Sequence, residues 1–326
     1  MNVSLEKALE KSLRTREQLF QLSAKENTDC FRLLNGSTEG IPGVIAEQYS
    51  KVAILQWHEG KSSWDRAHLE SIGAWYGKNL GVKSVYLKKF ISDRSSQVAD
   101  KNYYSASPIW GEISEPKIIC HERGMQLEIH PYDGFSTGIF LDQRNNREFL
   151  QGLGAHQQVL NCFAYTCAFS LACALGGAQV TSVDVSKKYL DWGKRNFELN
   201  QVTLAHHPFY AVDVFEQFKK AKKLGKEYGL IILDPPSFSR NDRGGVFSVR
   251  KDLELLVEKA VEVLAPKGVL FFSCNLSTVN SGDVARTVQK VMQQMNKKAN
   301  PIPLPKVPFD FEKSETVLSA CCFRLG

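Results

Sequence analysis

The sequence predicts an α/β chain: a mostly parallel sheet covered by helices on both faces in the C-terminal part, preceded by a smaller α+β domain. Three observations carry this. From about Gln157 onward, apolar strand-like runs alternate with amphipathic helical ones, the signature of a parallel sheet with helices on both faces. Before that point the apolar runs are short and split by turn-forming residues. The length, 326 residues, is comfortable for two domains, and 43% hydrophobic with 23% charged residues argues against disorder.

The elements follow in order. Leu5, Ala8, Leu9, Ser12, Leu13, Arg16 and Phe20 fall at helical spacing and predict one amphipathic helix with Ser4 as N-cap. "FRLLNG", "GVIAEQY" and "KVAILQW" read as strands separated by "STEGIPG" and by Ser50-Lys51. "SSWDRAHLESIGAWYGKNLG" reads as a helix closed by Gly81, "VKSVYLKKF" as a strand, and "KIICHERGMQLEIHP" as a hairpin around Arg123-Gly124. In the second part, strand "QQVLNCF" leads to helix "AFSLACALGG", strand "QVTSVDV" to helix "SKKYLDWGKRNFELN", and strand "HPFYAVDV" to a basic helical segment. "YGLIILD", a long loop, a helix over about 250–264 and strand "GVLFFSC" complete five units. The segments "NPIPLPKVPFDF" and "TVLSACCFRL" add a closing antiparallel pair, which makes seven strands. The expected organisation is an N-terminal helix over residues 1–30, a small α+β domain over 31–130 and the larger α/β domain over 131–326.

Eight cysteines without paired spacing for zinc or a redox couple read as buried thiols, and His206-His207 has no third ligand at a recognisable spacing. No run is long enough to cross a bilayer, and the start is amphipathic rather than leader-like, so the expectation is a cytoplasmic protein with no membrane partner. The net charge of +6 is concentrated in stretches such as "KKAKKLGK", which permits nucleic acid as a partner without establishing it.

In an open parallel sheet, ligands sit beyond the carboxyl ends of the strands. Here the first strand runs into "NCFAYTCAF", the second ends at Asp184, the third at Asp213, the fourth at Asp234 and the fifth at Cys274. A nicotinamide dehydrogenase would also place an acid after the second strand, but it needs a G-x-G-x-x-G turn for the pyrophosphate. Ala164-Tyr165-Thr166-Cys167-Ala168-Phe169 contains no glycine. A cofactor with adenosine and no phosphates escapes that requirement, which points to S-adenosylmethionine. After Asp234, the pair Pro235-Pro236 holds the backbone extended and removes amide donors, and Phe238 offers a face for a base to stack on. Asp234 can hydrogen-bond an exocyclic amine or ring nitrogen.

With these residues in hand, the chain resembles the class I S-adenosylmethionine-dependent methyltransferases, and within them the large-subunit family that modifies cytosine C5 or guanine in 23S ribosomal RNA. The matching segments are "EGIPGVIAEQY", "GFSTGIFLDQRNNREFL", "VLNCFAYTCAFSLACALGGA", "VDVSKKYLDWGKRNFELN", "IILDPPSF" and "FFSC", spread from about Phe31 to Cys274. The resemblance implies a Rossmann-like class I methyltransferase domain with a seven-stranded, mostly parallel sheet. It implies that Asp142, Gln143 and Arg144 contact the methionine part of the cofactor, that Asn161, Phe163 and Thr166 line the first turn, that Asp184 with Val185 holds ribose, and that Asp213 with Val214 approaches adenine. Asp234, Pro235, Pro236 and Phe238 then receive the base, and Ser273-Cys274 matches the serine-cysteine pair of cytosine-modifying relatives. The implied partner is RNA, 23S ribosomal RNA or an assembly intermediate, with a homodimer compatible. The expectation is that the residues before Phe31 do not form the small RNA-binding barrel of the cytosine-modifying members.

The target atom stays open at this point. Cytosine C5 is a poor nucleophile, so its methylation calls for a thiolate, Cys274, adding to C6. A guanine nitrogen needs no covalent step, and "DPPSFS" resembles the guanine-modifying branch as well. Asp184 and Asp213 can equally be read as helix caps or turn acids, Asp142 and Arg144 as a salt-bridged cap, and Cys274 as a buried thiol. A dinucleotide oxidoreductase and a catalytically silent RNA-binding relative are the competing readings, the latter because the turn carries Cys167.

Overall fold

The computed structural model describes residues 3–90, 105–134, 137–236, 238–240, 246–275, 281–314 and 318–326. It divides into two units: residues 1–142 with 308–315, and residues 143–307 with 316–326.

The first unit begins with α1 (Val3–Arg14) and α2 (Glu17–Glu26), where the sequence predicts one helix capped at Ser4. Ser4 lies inside α1 instead, and the break falls at Arg16. This side chain is turned inward and 2% exposed, donating to the carbonyls of Ser12 (2.8 Å) and Arg32 (2.6 Å) and to both oxygens of Glu39 (2.8 and 3.0 Å). A guanidinium tied to that many acceptors fixes its backbone, so the helix turns a corner there.

Strands β1 (Cys30–Asn35), β2 (Val44–Tyr49), β3 (Val52–His58), β4 (Ser84–Phe90) and β5 (Trp110–Gly111) form one sheet in that order. Only the β3 to β4 pair is parallel, because α3 (Arg66–Leu80) crosses over between them. Asp65 caps α3 by accepting from His68 N at 3.0 Å, and Gly81 ends it in the left-handed region. The hairpin of β6 (Ile118–Glu122) and β7 (Met125–Ile129) is also present, as expected. One sheet face packs Leu33, Val44, Leu55 and Val85 against Leu9, Leu69, Ile72 and Tyr76 of the helices.

The other face is polar and buried. Glu47 Oε1 takes Arg32 Nε and Nη2 at 3.0 and 2.8 Å, and its Oε2 takes Tyr49 and Gln56 at 2.9 and 2.8 Å. Asp310 and Phe311 join the same network: Arg32 N donates to Asp310 Oδ2 at 2.9 Å, Asn35 Nδ2 to Asp310 O at 2.8 Å, and the Arg32 guanidinium lies 4.4 Å from the Phe311 ring centre.

The second unit is built on seven strands: β8 (Gln158–Cys162), β9 (Gln179–Asp184), β10 (Phe209–Ala211), β11 (Tyr228–Leu233), β14 (Leu264–Cys274), β15 (Ala299–Pro301) and β16 (Ser319–Leu325). Their order is β10-β9-β8-β11-β14-β16-β15, parallel through β14, with β16 antiparallel to both of its neighbours. A short hairpin, β12 (Phe238–Arg240) with β13 (Val246–Ser248), follows β11.

Helices α4 (Arg144–Leu153) and α5 (Ala168–Leu175) cover one face through Leu150, Phe169 and Cys173. On the other face, α7 (Val214–Lys223), α8 (Val249–Val261) and α9 (Ser281–Gln294) contribute Phe218, Leu256 and Val288. Helix α6 (Lys187–Leu199) follows β9. All eight cysteines are buried thiols, none joined in a disulfide. Among the described residues no helix is long and apolar enough to cross a membrane.

Candidate cofactor and active site

Register brings the strand tips together. Leu233 pairs with Cys162 on one side and Phe272 on the other, and Cys162 pairs with Val183. The next residue on each strand therefore stands at one edge: Asp184, Phe163, Asp234 and Ser273, side by side across β9, β8, β11 and β14. Strand order reverses between β8 and β11, which is where a crevice opens in such sheets.

The turn after β8 is held in an unusual backbone. Phe163, Tyr165 and Cys167 have φ of 58°, 49° and 62°, the left-handed region that glycine favours. Left-handed conformations cost about 1–2 kcal/mol for residues with a Cβ. Such strain persists where surrounding contacts impose it. Here they do: Ala164 N donates to Val183 O and Tyr165 N to Asp184 Oδ2, at 2.9 and 2.8 Å. Asn196 Nδ2 donates to Thr166 O at 2.9 Å. Thr166 is fully buried. The Phe163 ring lies 5.3 Å from that of Phe247.

Asn161, one residue before the β8 end, donates Nδ2 to Ser170 Oγ at 2.8 Å, and Ser182 Oγ meets the same oxygen at 2.8 Å. Asn161 Oδ1 is buried with no hydrogen-bond partner among the described residues. An orphaned buried acceptor costs about 1–3 kcal/mol and is what a ligand ammonium would satisfy.

Asp184 takes Ser186 N on Oδ1 at 2.9 Å and Tyr165 N on Oδ2 at 2.8 Å. Burial pushes its carboxyl above the usual range, while the Ser186 and Tyr165 amides pull it back. Each oxygen keeps a further lone pair, suited to a vicinal diol. Val185 beside it is 43% exposed and can cover a ring. Asp213 caps α7 by accepting from Phe215 N at 2.9 Å, so its cap role is real, and it stands one strand further along. Val214 packs into the core instead of facing the edge.

On the other side of β8, Asp234 Oδ1 accepts from Ser273 Oγ at 2.6 Å and from Gln143 Nε2 at 3.4 Å. Gln143 Nε2 also reaches Ser273 Oγ at 3.1 Å, and its Oε1 accepts from Asn146 Nδ2 at 2.7 Å. Pro235 is buried and Pro236 exposed. Phe238 opens β12, but its side chain is outside the described residues, as is Ser237. Arg144 is buried at the start of α4, and Asp142, half-buried, ends the first unit. Cys274 is fully buried among Leu233, Phe272 and Phe247, on the sheet face opposite Ser273 because strand side chains alternate.

The edge thus gathers Asn161, Phe163, Asp184, Asp213, Asp234 and Gln143, and leaves Val214 and Cys274 in the core. Sequence reading missed Ser170, Ser182, Gly193 and Asn196. They come from later elements, and only the fold shows that they back the turn.

Comparison with known proteins matches this geometry. Residues 98–307 fit the model of an S-adenosylmethionine-dependent methyltransferase family. YwbD of Bacillus subtilis, provisionally named a ribosomal RNA large subunit methyltransferase, is 33% identical over 306 residues, 93% of this chain and 74% of its own. A ribosomal RNA large subunit methyltransferase of Deinococcus radiodurans is 32% identical over 294 residues, 89% of this chain and 70% of its own. Among solved structures, SMU.776, provisionally described as a methyltransferase and crystallised with SAH, superposes with a TM-score of 0.86 at 29% identity, covering 99% of this chain and 82% of that one. A strand edge without a glycine-rich turn, a diol-ready acid after the second strand and these likenesses agree: the chain belongs to the S-adenosylmethionine-dependent methyltransferase family, and S-adenosylmethionine is its cofactor.

Proposed function

We propose that this enzyme methylates a base of large-subunit ribosomal RNA, and that the acceptor is a guanine nitrogen. The names of the relatives in Bacillus subtilis and Deinococcus radiodurans support the RNA. The observation that carries the base is the Asp234-Pro235-Pro236 tip: a carboxylate clamped by Ser273 and Gln143, followed by two residues that present carbonyls and no amide donors. Guanine offers N–H donors to such a row of acceptors.

When bound, S-adenosylmethionine supplies an electrophilic methyl group on a sulfonium centre. The chain's part is to hold and orient. Asn161 Oδ1 accepts from the amino-acid end, Asp184 with Val185 receives the ribose, and Asp213 lies toward the adenine. Asp142, Gln143 and Arg144 flank the methionine part, with Gln143 also fixing Asp234. Asp234 and the prolyl carbonyls then present the acceptor nitrogen, so that proximity and orientation supply most of the acceleration.

The nitrogen target is supported by the position of Cys274. Its thiol is 0% exposed in an apolar core and faces away from the Ser273–Asp234 contact. A second reading, cytosine C5, keeps one observation in its favour, the Ser273-Cys274 pair at the β14 end. There the thiolate would add to C6, C5 would take the methyl group, a base would remove the C5 proton, and the C–S bond would break to release the thiolate. Nucleoside mass spectrometry of 23S ribosomal RNA from a strain deleted for this chain separates the readings. Loss of a methylguanosine is the expected result, loss of 5-methylcytidine supports the second reading, and an unchanged methylation pattern contradicts both.

A further inference from the structure

We propose that Gly193 of α6 is a positioning residue for the cofactor, acting on the turn after β8 through the side chain of Cys167. This rests on the placement of the cofactor's amino-acid end at that turn. Three residues of α6 spaced i, i+4 and i+7, hence on one helix face, meet three consecutive residues of the turn. Tyr189 packs its ring 4.6 Å from that of Tyr165, Asn196 Nδ2 donates to Thr166 O at 2.9 Å, and Gly193 backs Cys167.

The third contact is the tightest. Cys167 sits at φ 62°, ψ 28°, caps α5 and is fully buried. A Cβ on Gly193 would stand 2.4 Å from Cys167 Sγ, 2.8 Å from its Cβ and 3.3 Å from Thr166 O. Rotating the thiol relieves the first clash and leaves the second, because Cβ moves only with the backbone. Any side chain at 193 therefore forces the backbone of Cys167 and α6 apart. That backbone is the hinge of the turn: Cys167 N donates to Ala164 O and Cys167 O accepts from Leu171 N, both at 2.8 Å. Two residues earlier, Tyr165 N holds Asp184, the acid assigned to the ribose. A bare helix surface at 193 is thus what lets a residue with a side chain occupy a left-handed position otherwise suited to glycine.

A glycine at 167 would need no such room. It adopts φ near +60° without strain and has neither of the two clashing atoms, so it should tolerate alanine at 193.

The test is a double-mutant cycle on the full chain with Gly193→Ala, Cys167→Gly and both together. The readouts are S-adenosylhomocysteine affinity by calorimetry and the thermal midpoint. Gly193→Ala should weaken binding by about tenfold or more, and the double variant should return to within about threefold of the unmodified enzyme. Should Gly193→Ala fail to fold, recovery of folded, cofactor-binding double variant carries the same meaning. If the double variant binds as weakly as Gly193→Ala, Gly193 does not act through Cys167 and the proposal falls. If the midpoint falls and recovers across the cycle while affinity never changes, the packing pair exists but the cofactor lies elsewhere, which overturns the placement of the cofactor and the proposal with it.

Discussion

The hydroxyl of Ser273 donates to Asp234 Oδ1 at 2.6 Å, joining the ends of two parallel strands, β14 and β11, that are neighbours in the sheet. Gln143 Nε2 reaches both residues, so the carboxylate is held from two directions. This triangle fixes the plane in which Asp234 can meet a base.

Removing one corner should slow transfer without loosening the cofactor. A hydrogen bond to a charged group is worth about 1.5–3 kcal/mol, which is about ten- to hundredfold in rate if it is felt in the transition state. Ser273→Ala is expected to lower kcat within that range while S-adenosylhomocysteine affinity stays within about twofold. Equal losses in both would place Ser273 at the cofactor instead.

Asp184 should behave in the opposite way. Its removal strands the amides of Tyr165 and Ser186 and takes away the ribose acceptor. Asp184→Ala is expected to weaken S-adenosylhomocysteine by about a hundredfold and to lower the thermal midpoint, because buried donors without partners cost about 1–3 kcal/mol each. Calorimetry and a melting curve check both halves.

Cys274→Ala decides the target atom. With a nitrogen acceptor the variant should keep transfer activity within about threefold, the loss arising from a small buried cavity alone. Activity below detection in a folded variant would establish the covalent route to cytosine C5.

Lys88 offers a pH test of the first unit. It is 2% exposed, its Nζ has no hydrogen-bond partner among the described residues, and burial lowers its pKa from 10.5 to about 8, against the pull of Glu47 and Asp133. Below pH 8 both folded and unfolded chains carry this proton and the cost is constant. Between about pH 8 and 10.5 only the unfolded chain holds it, so stability should rise with pH across that window. A lowering from 10.5 to about 8 corresponds to about 3 kcal/mol. Lys88→Met should therefore stabilise the chain at neutral pH by an amount of that order and flatten the rise, as read by denaturant titration at pH 7 and pH 10.

Much of the second unit was legible because strands such as β9, β11 and β14 carry apolar residues and end on or beside a distinctive residue. Asp184 and Asp234 close such runs, and the register then sets them on one edge. The seven strands and the closing antiparallel pair follow the same logic. What stayed hidden depends on contacts distant in sequence. The corner at Arg16 is imposed by Glu39, 23 residues away, and the docking of the segment around Asp310 onto β1 by Asp310 itself, 278 residues from Arg32. Cys274 stood as a candidate nucleophile through the resemblance to the serine-cysteine pair of cytosine-modifying relatives, whereas strand alternation turns it into the core. Gly193 and Asn196 lie on a helix whose pattern looks ordinary, and only the fold puts them against the turn.

The central claim is that one strand edge holds the donor on the β8 and β9 side and the base on the β11 side. A crystal structure with S-adenosylhomocysteine tests it most directly. Ribose hydroxyls are expected on Asp184, the amino group within hydrogen-bonding distance of Asn161 Oδ1 and adenine toward Asp213, with the sulfur facing Asp234. Electron density for the ligand away from these tips, or with its ribose on Asp234, would contradict it.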